Sequence, residues 1–169
     1  EKDFSLVGFE PAKNIDYIDK EKNIKIFNDY FNSKNFKKNF KKRAKIITSC
    51  AMFYDLSNPK KFVKDIEEIL EDDGVWCVQI SYLASMLKYN NFYDICHEHL
   101  SYYSIDSFEY LLDKLNLKCF YAQVNAVNGG SIRLFVCKKN CNKYDDPIFF
   151  KELAELKNEE EKYNLKVEK

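Results

Sequence analysis

The chain has 169 residues, 46% hydrophobic and 16% aromatic, which is enough apolar material for one domain with a real core and too much for a disordered chain. Lysine plus arginine and aspartate plus glutamate both number 27, so the formal charge is zero and no whole-protein field would draw in nucleic acid or an anionic membrane. No apolar run approaches the roughly 18 residues of a membrane span, and Glu1-Lys2-Asp3 does not open a signal peptide, so a cytoplasmic protein is the expectation.

Taken in chain order, Ser5-Leu6-Val7-Gly8-Phe9 reads as a buried strand that stops at the Glu10-Pro11 turn, followed by a helix over about 14–21. Ile24 to Phe27 is a second strand, ended by Asn28-Asp29. The lysine-rich stretch from Ser33 to Arg43, with Phe36 and Phe40 four apart, fits a helix with one face packed and the other solvated. Lys45 to Ser49 is the third strand. Asn58-Pro59 then supplies an N-cap and a proline at the first helical position, Phe62, Ile66, Ile69 and Leu70 recur at helical spacing, and Gly74 is expected to close that helix. Val75 to Ile80 is the fourth strand. This alternation predicts an α/β fold with a mostly parallel sheet.

Residues 81–105 carry no clean period. Asp106-Ser107-Phe108-Glu109 then has the pattern of a capping box opening a helix to about Asn116. Leu117 to Val124 and Ser131 to Lys138 are the last strands, and the short loop containing Gly129-Gly130 favours an antiparallel pair. From about Asp146 onward the mixture of charges with Phe149, Phe150, Leu153 and Leu156 predicts an exposed amphipathic helix. Several of the six cysteines fall inside apolar runs, where a reduced thiol behaves as a small hydrophobe; Cys137 and Cys141 are closely spaced, but a zinc site needs about four ligands and no second pair exists.

In an open parallel sheet, ligands bind beyond the carboxyl ends of the strands. Glu10 stands at one such end, where a carboxylate can accept two hydrogen bonds from a ribose diol, and Asp29 at the next, where it could accept from an adenine amine; both could equally be surface terminators of their strands. Cys96-His97-Glu98-His99 is the sharper feature, because both histidines of the chain fall two residues apart in one aromatic-rich loop. If that piece is extended, His97 and His99 point to one side and Glu98 to the other. Imidazole titrates near neutrality, so one of them in a cleft could remove a proton; metal ligation with Cys96, or a structural hydrogen bond, remain open. Asn128-Gly129-Gly130-Ser131-Ile132-Arg133 is a third candidate, either a plain hairpin or a loop that approaches a ligand closely, with the planar fork of Arg133 suited to phosphate or carboxylate.

Val7-Gly8-Phe9-Glu10-Pro11, Asn28-Asp29-Tyr30-Phe31, the segment Asp94 to Tyr103 and Asn128 to Arg133 together resemble the sugar C-methyltransferase family, in order and over nearly the whole chain. The resemblance implies a Rossmann-like class I methyltransferase sheet, mostly parallel with an antiparallel last strand and here incomplete. It implies a division into 1–80, the later part of an S-adenosyl-L-methionine-binding domain; 81–140, the substrate loop and closing strands; and 141–169, an amphipathic helical tail that begins a further domain. The cofactor would lie across the strand ends, with Glu10 and Pro11 at its ribose, Asp29 and Tyr30 near its adenine, and Cys50 as a further contact. The small-molecule acceptor, in better-known relatives a nucleotide-linked keto sugar, would meet Cys96, Tyr54, Asn128 and Arg133. His99 would remove the proton beside the keto group, with His97 and Glu98 orienting the sugar or relaying the proton, and no metal is implied at these residues.

Two departures accompany the resemblance. Sugar-methylating members usually carry tyrosine where this chain has Cys96, and a histidine near the position of Asp55, which leaves the acceptor open. Relatives also have a glycine-rich strand-to-helix loop before the Glu-Pro turn, often a zinc-binding region before that, and continue past residue 169. The chain therefore reads as a fragment whose missing strand would lie between those ending at Glu10 and Ser49, and which alone would be inactive. A non-catalytic remnant that pairs with another chain, and a metal-dependent enzyme using Cys96, His97 and His99, are the alternatives.

Overall fold

The computed structural model describes residues 5–13 and 24–166. The chain divides into two compact units, residues 1–41 and 42–169. In the first, β1 (Leu6–Phe9) pairs in parallel with β2 (Ile24–Phe27), Leu6 opposite Ile24 and Phe9 opposite Phe27. Phe9 stacks on Phe27 at 5.2 Å between ring centroids and meets Phe31 edge-on, while Phe27 meets Phe40, so aromatic rings supply the packing that two short strands cannot supply by themselves. The helix read over 14–21 lies outside the described residues. The lysine-rich helix α1 (Ser33–Asn39) is capped by the Asn32 side chain, which accepts from the Asn35 amide, and ends earlier than the sequence suggests: Phe40 is already extended.

The second unit holds a four-stranded sheet in the order β3-β4-β6-β5, formed by β3 (Ala44–Cys50), β4 (Leu70–Ser81), β5 (Leu117–Asn125) and β6 (Ser131–Lys138). β3 and β4 are parallel, and β6 runs antiparallel to both β4 and β5, between which it is inserted. Three strands thus share one direction and the last opposes them, the mixed α/β arrangement that the alternation and the short Gly-Gly loop predict. Trp76, Val78, Ile80, Ile132, Leu134 and Val136 form one fully buried face. Helices α2 (Pro59–Ile69) and α4 (Ile105–Asp113) cover it, Phe62 and Phe108 bringing their rings onto Trp76 and onto Phe53, the centre of this aromatic core. The opposite face is more open: Val75, Phe135, Tyr144 and Phe149 pack against a buried cluster of Phe120, Cys137 and Cys141 at one end, whereas Ile46 is 69% exposed. Burial pushes the Cys137 thiol up to about 12, so it behaves as a hydrophobe.

Several elements differ from the sequence reading. Gly74 does not close α2; the helix stops at Ile69 and β4 begins at Leu70. The run Glu71-Asp72-Asp73 can be strand because its carboxylates are matched: Asp72 by Arg43 at 3.0 Å and Lys138 at 2.9 Å, Asp73 by Lys45 and Lys143. Residues 81–105 contain a helix, α3 (Leu83–Tyr89), closed by Asn90 in the left-handed conformation. The capping box of α4 lies two residues earlier than expected, with Ser104 and Ser107 exchanging hydrogen bonds.

The tail helix α5 (Pro147–Glu161) is not simply exposed. Leu153 is buried, and the Glu160 carboxylate, 3% exposed, accepts from the Ile105 amide at 2.6 Å and reaches the Asp106 amide at 3.4 Å, so α5 satisfies the N-terminus of α4. Desolvation raises the Glu160 carboxyl above its usual range although these amides oppose the shift. Replacing Glu160 with alanine would leave buried donors unmade and is expected to cost about 1–3 kcal/mol in urea denaturation. The folded state binds this proton more tightly than the unfolded chain does, so the group's contribution is fullest below the unfolded carboxyl range and declines as pH rises through the folded value. Denaturation across that range should show the parent losing stability relative to Glu160→Gln as pH increases.

Candidate functional site

In the first unit, Glu10 and Asp29 occupy the carboxyl ends of neighbouring parallel strands. Both main-chain amides donate to the Phe27 carbonyl at 2.9 Å, and the Asn28 side chain ties the two ends together by donating to the Glu10 and Ala12 carbonyls. Glu10 Oε1 accepts from the Ala12 amide at 2.8 Å, which turns the chain through the exposed Pro11. Asp29 accepts from the Tyr30 amide through Oδ1 and from Asn35 Nδ2 through Oδ2, both at 2.7 Å, while the Tyr30 ring is 74% exposed. Two held carboxylates on adjacent strand ends suit hydroxyl and amine donors of a nucleoside-like ligand.

In the second unit, β3 ends at exposed Cys50, and Ala51 adopts a positive φ of 53° while its amide donates to the Gln79 carbonyl. A non-glycine residue in that region is uncommon and marks a chain forced to turn sharply at the strand end. A single 3-10 turn at Phe53–Asp55 follows. The buried Tyr54 is the anchor of the histidine loop: its carbonyl accepts from the Leu100 amide at 2.9 Å and the Ser101 amide at 3.1 Å, and its ring lies 4.1 Å from the His99 ring. The loop is therefore not extended. The His99 amide donates to the Cys96 carbonyl at 3.3 Å, closing a tight turn in which His97 and Glu98 project outward, their side chains 91% and 62% exposed and 3.1 Å apart. His97 and His99 do not share a side, contrary to the extended-segment expectation. His99 is half-buried against Tyr54 and Tyr102, and its buried Nδ1 atom has no hydrogen-bond partner among the described residues. Among the described residues no three metal-ligating side chains converge, so Cys96, His97 and His99 do not form a ligand set.

Two carboxylates that the motif reading left without a role complete this cluster. Asp94, in a second 3-10 turn at Phe92–Asp94, is 7% exposed; its Oδ2 has no hydrogen-bond partner, and its carbonyl receives the Tyr102 hydroxyl at 3.4 Å. Asp55 lies within electrostatic reach of His99 and Glu98; partial burial of its carboxyl raises its proton affinity, His99 opposes and Glu98 adds. Burial, with Asp55, Asp94 and Cys96 nearby, pushes the Tyr54 hydroxyl up. The Glu98 carboxyl is lowered, first by its own backbone amide and then by His97 among its neighbours.

Arg133 lies on β6 and donates from Nε to Gln79 Oε1 at 2.7 Å, a sheet-surface partner rather than a surface salt bridge. Asn128 takes a positive φ of 50° and is exposed at the loop tip. The Gly129-Gly130 pair has a packing reason. Asn91 Nδ2 donates to the Gly129 carbonyl at 2.7 Å, joining this loop to the segment that leads into the histidines. Gly130 has φ 135°, and a Cβ there would lie 2.6 Å from the Ser85 Cβ on α3. Gly130→Ala is accordingly expected to lower stability by about 2 kcal/mol or more, measured as a shift in the urea midpoint.

A mixed sheet with one antiparallel strand, helices on its buried face and polar residues at its strand ends is a Rossmann-like α/β architecture. The chain belongs to the methyltransferase domain family, which it matches over residues 1–122. It is 25% identical over 152 residues to the C-methyltransferase NovU of Streptomyces niveus, covering 89% of this chain and 36% of that one, so it spans about a third of that relative's length. Among solved structures, the plantazolicin methyltransferase BamL, in complex with a triazolic desmethylPZN analog and SAH, superposes with a TM-score of 0.57 at 12% identity, over 83% of this chain and 70% of that one. An SAM-dependent methyltransferase from Thermotoga maritima gives a TM-score of 0.55 at 14% identity, over 76% and 72%. At these identities the structural likeness shows the fold.

Proposed function

We propose that the protein of which this chain is part transfers a methyl group from S-adenosyl-L-methionine to a carbon of a small acceptor, with His99 as the general base. The observation that carries this reading is the half-buried imidazole itself, packed on Tyr54 in a loop that the Leu100 and Ser101 amides tie to the Tyr54 carbonyl, with a buried Nδ1 that no group among the described residues satisfies. A ring held by packing on one side can present its other edge to a substrate without first paying to be ordered. The likeness to NovU supports carbon as the methylated atom, and the quoted motifs support a nucleotide-linked keto sugar as acceptor.

When bound, the cofactor supplies an electrophilic methyl group on a sulfonium. In the first unit Glu10 would accept from ribose hydroxyls beside Pro11, and Asp29 from an adenine amine beside Tyr30. His99 takes the proton from the carbon next to the acceptor's carbonyl, and the C–H electron pair remains on the acceptor as an enolate. That carbon would take the methyl group from the bound cofactor, which would leave as the neutral thioether, and the imidazolium of His99 would return its proton to solvent. Tyr54, Cys96, Asn128 and Arg133 are assigned to the acceptor, and His97 and Glu98 to orienting it or relaying the proton from the outer side of the turn. Incubating the whole protein with S-adenosyl-L-methionine and a panel of nucleotide sugars should yield one product heavier by a methyl group, bonded to carbon. Methylation found only on oxygen or nitrogen would overturn the carbon assignment.

A further inference from the structure

We propose that Asn91 is a positioning residue for the acceptor: its side chain locks the Gly-Gly loop, with Asn128 at its tip, onto helix α3, the same helix that holds both ends of the histidine loop. This rests on the reading in which Asn128 meets the acceptor and His99 is the base. The chain reaches the histidines from the end of α3, through Asn90, Asn91 and the 3-10 turn at Phe92–Asp94, and it comes back at Tyr103, whose carbonyl accepts from the Leu83 amide at the start of α3 at 3.0 Å. The Gly-Gly loop lies along that helix too. The Tyr82 amide donates to the Gly130 carbonyl at 3.2 Å, a Cβ at Gly130 would meet Ser85, and Asn91 Nδ2 donates to the Gly129 carbonyl at 2.7 Å.

The Asn91 tie is made at the residue next to Asn128. Asn91 is 8% exposed, and its own amide donates to the Met86 carbonyl at 2.9 Å, so the side chain projects from the hydrogen-bonded end of a helix. Gly129 has φ 73°; a Cβ there would lie 2.9 Å from Asn91 Nδ2 and would collide with the Tyr93 hydroxyl, so the missing side chain is what lets both groups close on the loop. One rigid element thereby sets where Asn128 stands and where the segment bearing His99 begins and ends. A displacement of the loop by about 1 Å would misplace the acceptor before the base, which is costly for a reaction that depends on alignment. Asn91 takes no part in proton or methyl transfer; its effect passes through Asn128.

The test uses the whole protein with the acceptor it methylates, and the variants Asn91→Ala, Asn91→Asp, which keeps the shape and loses the donor, Asn128→Ala, and each Asn91 variant combined with Asn128→Ala. Both Asn91 variants should raise the acceptor KM about three- to tenfold, the effect of losing one hydrogen bond, and leave the affinity for S-adenosyl-L-methionine unchanged. The Gly130 amide, which donates to the Val127 carbonyl across the loop, should exchange with solvent faster in both. In the Asn128→Ala background the same substitutions should change KM by less than about twofold, because the group they position is gone, whereas a residue that only supports the fold would act equally in the two backgrounds. An unchanged KM in the Asn91 variants, or an equal rise with and without Asn128, would overturn the proposal. If His99→Ala retains turnover, the base reading fails, while the KM cycle, measured with the same acceptor, still decides the role of Asn91.

Discussion

His99→Ala is expected to lower methyl transfer by the whole protein about 10²- to 10⁴-fold, the usual contribution of a positioned base, while its affinity for S-adenosyl-L-methionine stays within a factor of a few. The split follows from the proposed roles: the carboxylates proposed for the cofactor stand at the ends of β1 and β2, and neither belongs to the histidine loop. The variant should remain folded, because the ring is half-buried and the loop is held by the Leu100 and Ser101 amides, which the substitution leaves in place; a change within about 1 kcal/mol is expected for a part-exposed side chain. Product formation followed by mass spectrometry and cofactor binding followed by equilibrium dialysis separate the two effects. His97→Ala, which removes a ring projecting into solvent, should cost far less than His99→Ala.

Phe53→Ala carries the largest expected effect on stability. Phe53 is fully buried, with its ring against Phe62, Trp76, Tyr103 and Phe108 at centroid distances from 5.2 to 5.9 Å. Removing it deletes the centre of the cluster that joins α2, β4 and α4, and a loss of about 3–5 kcal/mol is expected, a large part of the roughly 5–15 kcal/mol available to a domain. Urea denaturation should show a lower midpoint with an unchanged slope. Because Phe53 immediately precedes Tyr54, the damage should extend to the histidine loop: the Leu100 and Ser101 amides, which donate to the Tyr54 carbonyl, should exchange with solvent faster in the variant than in the parent. Unchanged exchange at these two amides would separate the loop from the core.

The strands were legible because each is a compact apolar run bounded by a turn residue, as at Leu6–Phe9 before Glu10-Pro11 and at Ser131–Lys138 after Gly129-Gly130. The early start of β4 was not, since Glu71-Asp72-Asp73 has poor strand propensity; its pairing depends on Arg43, Lys45, Lys138 and Lys143, which the fold brings from distant positions. Helix α3 was hidden because Tyr82, Ala84, Ser85 and Met86 are all buried, leaving too narrow a polar face to show a period. In the site, the pairing of the chain's two histidines in one loop singled out that loop, but not the turn closed by the His99 amide on the Cys96 carbonyl, nor the anchoring of the following Leu100 and Ser101 amides on the distant Tyr54 carbonyl. Asp94 had no local signal for burial, and the exposed Asp55 none for a neighbour across the fold. The one hint at Asp55 was its position near a histidine of the sugar-methylating relatives.

The proposed proton abstraction by His99 can be tested without methyl transfer. The whole protein is incubated in deuterated buffer with the acceptor identified from the nucleotide-sugar panel, without a methyl donor, and deuterium at the carbon beside the carbonyl is followed by NMR. Deuterium entering that position with the parent protein and at no more than the background rate with His99→Ala is the result expected of a base at position 99. Equal incorporation by the two proteins would contradict it.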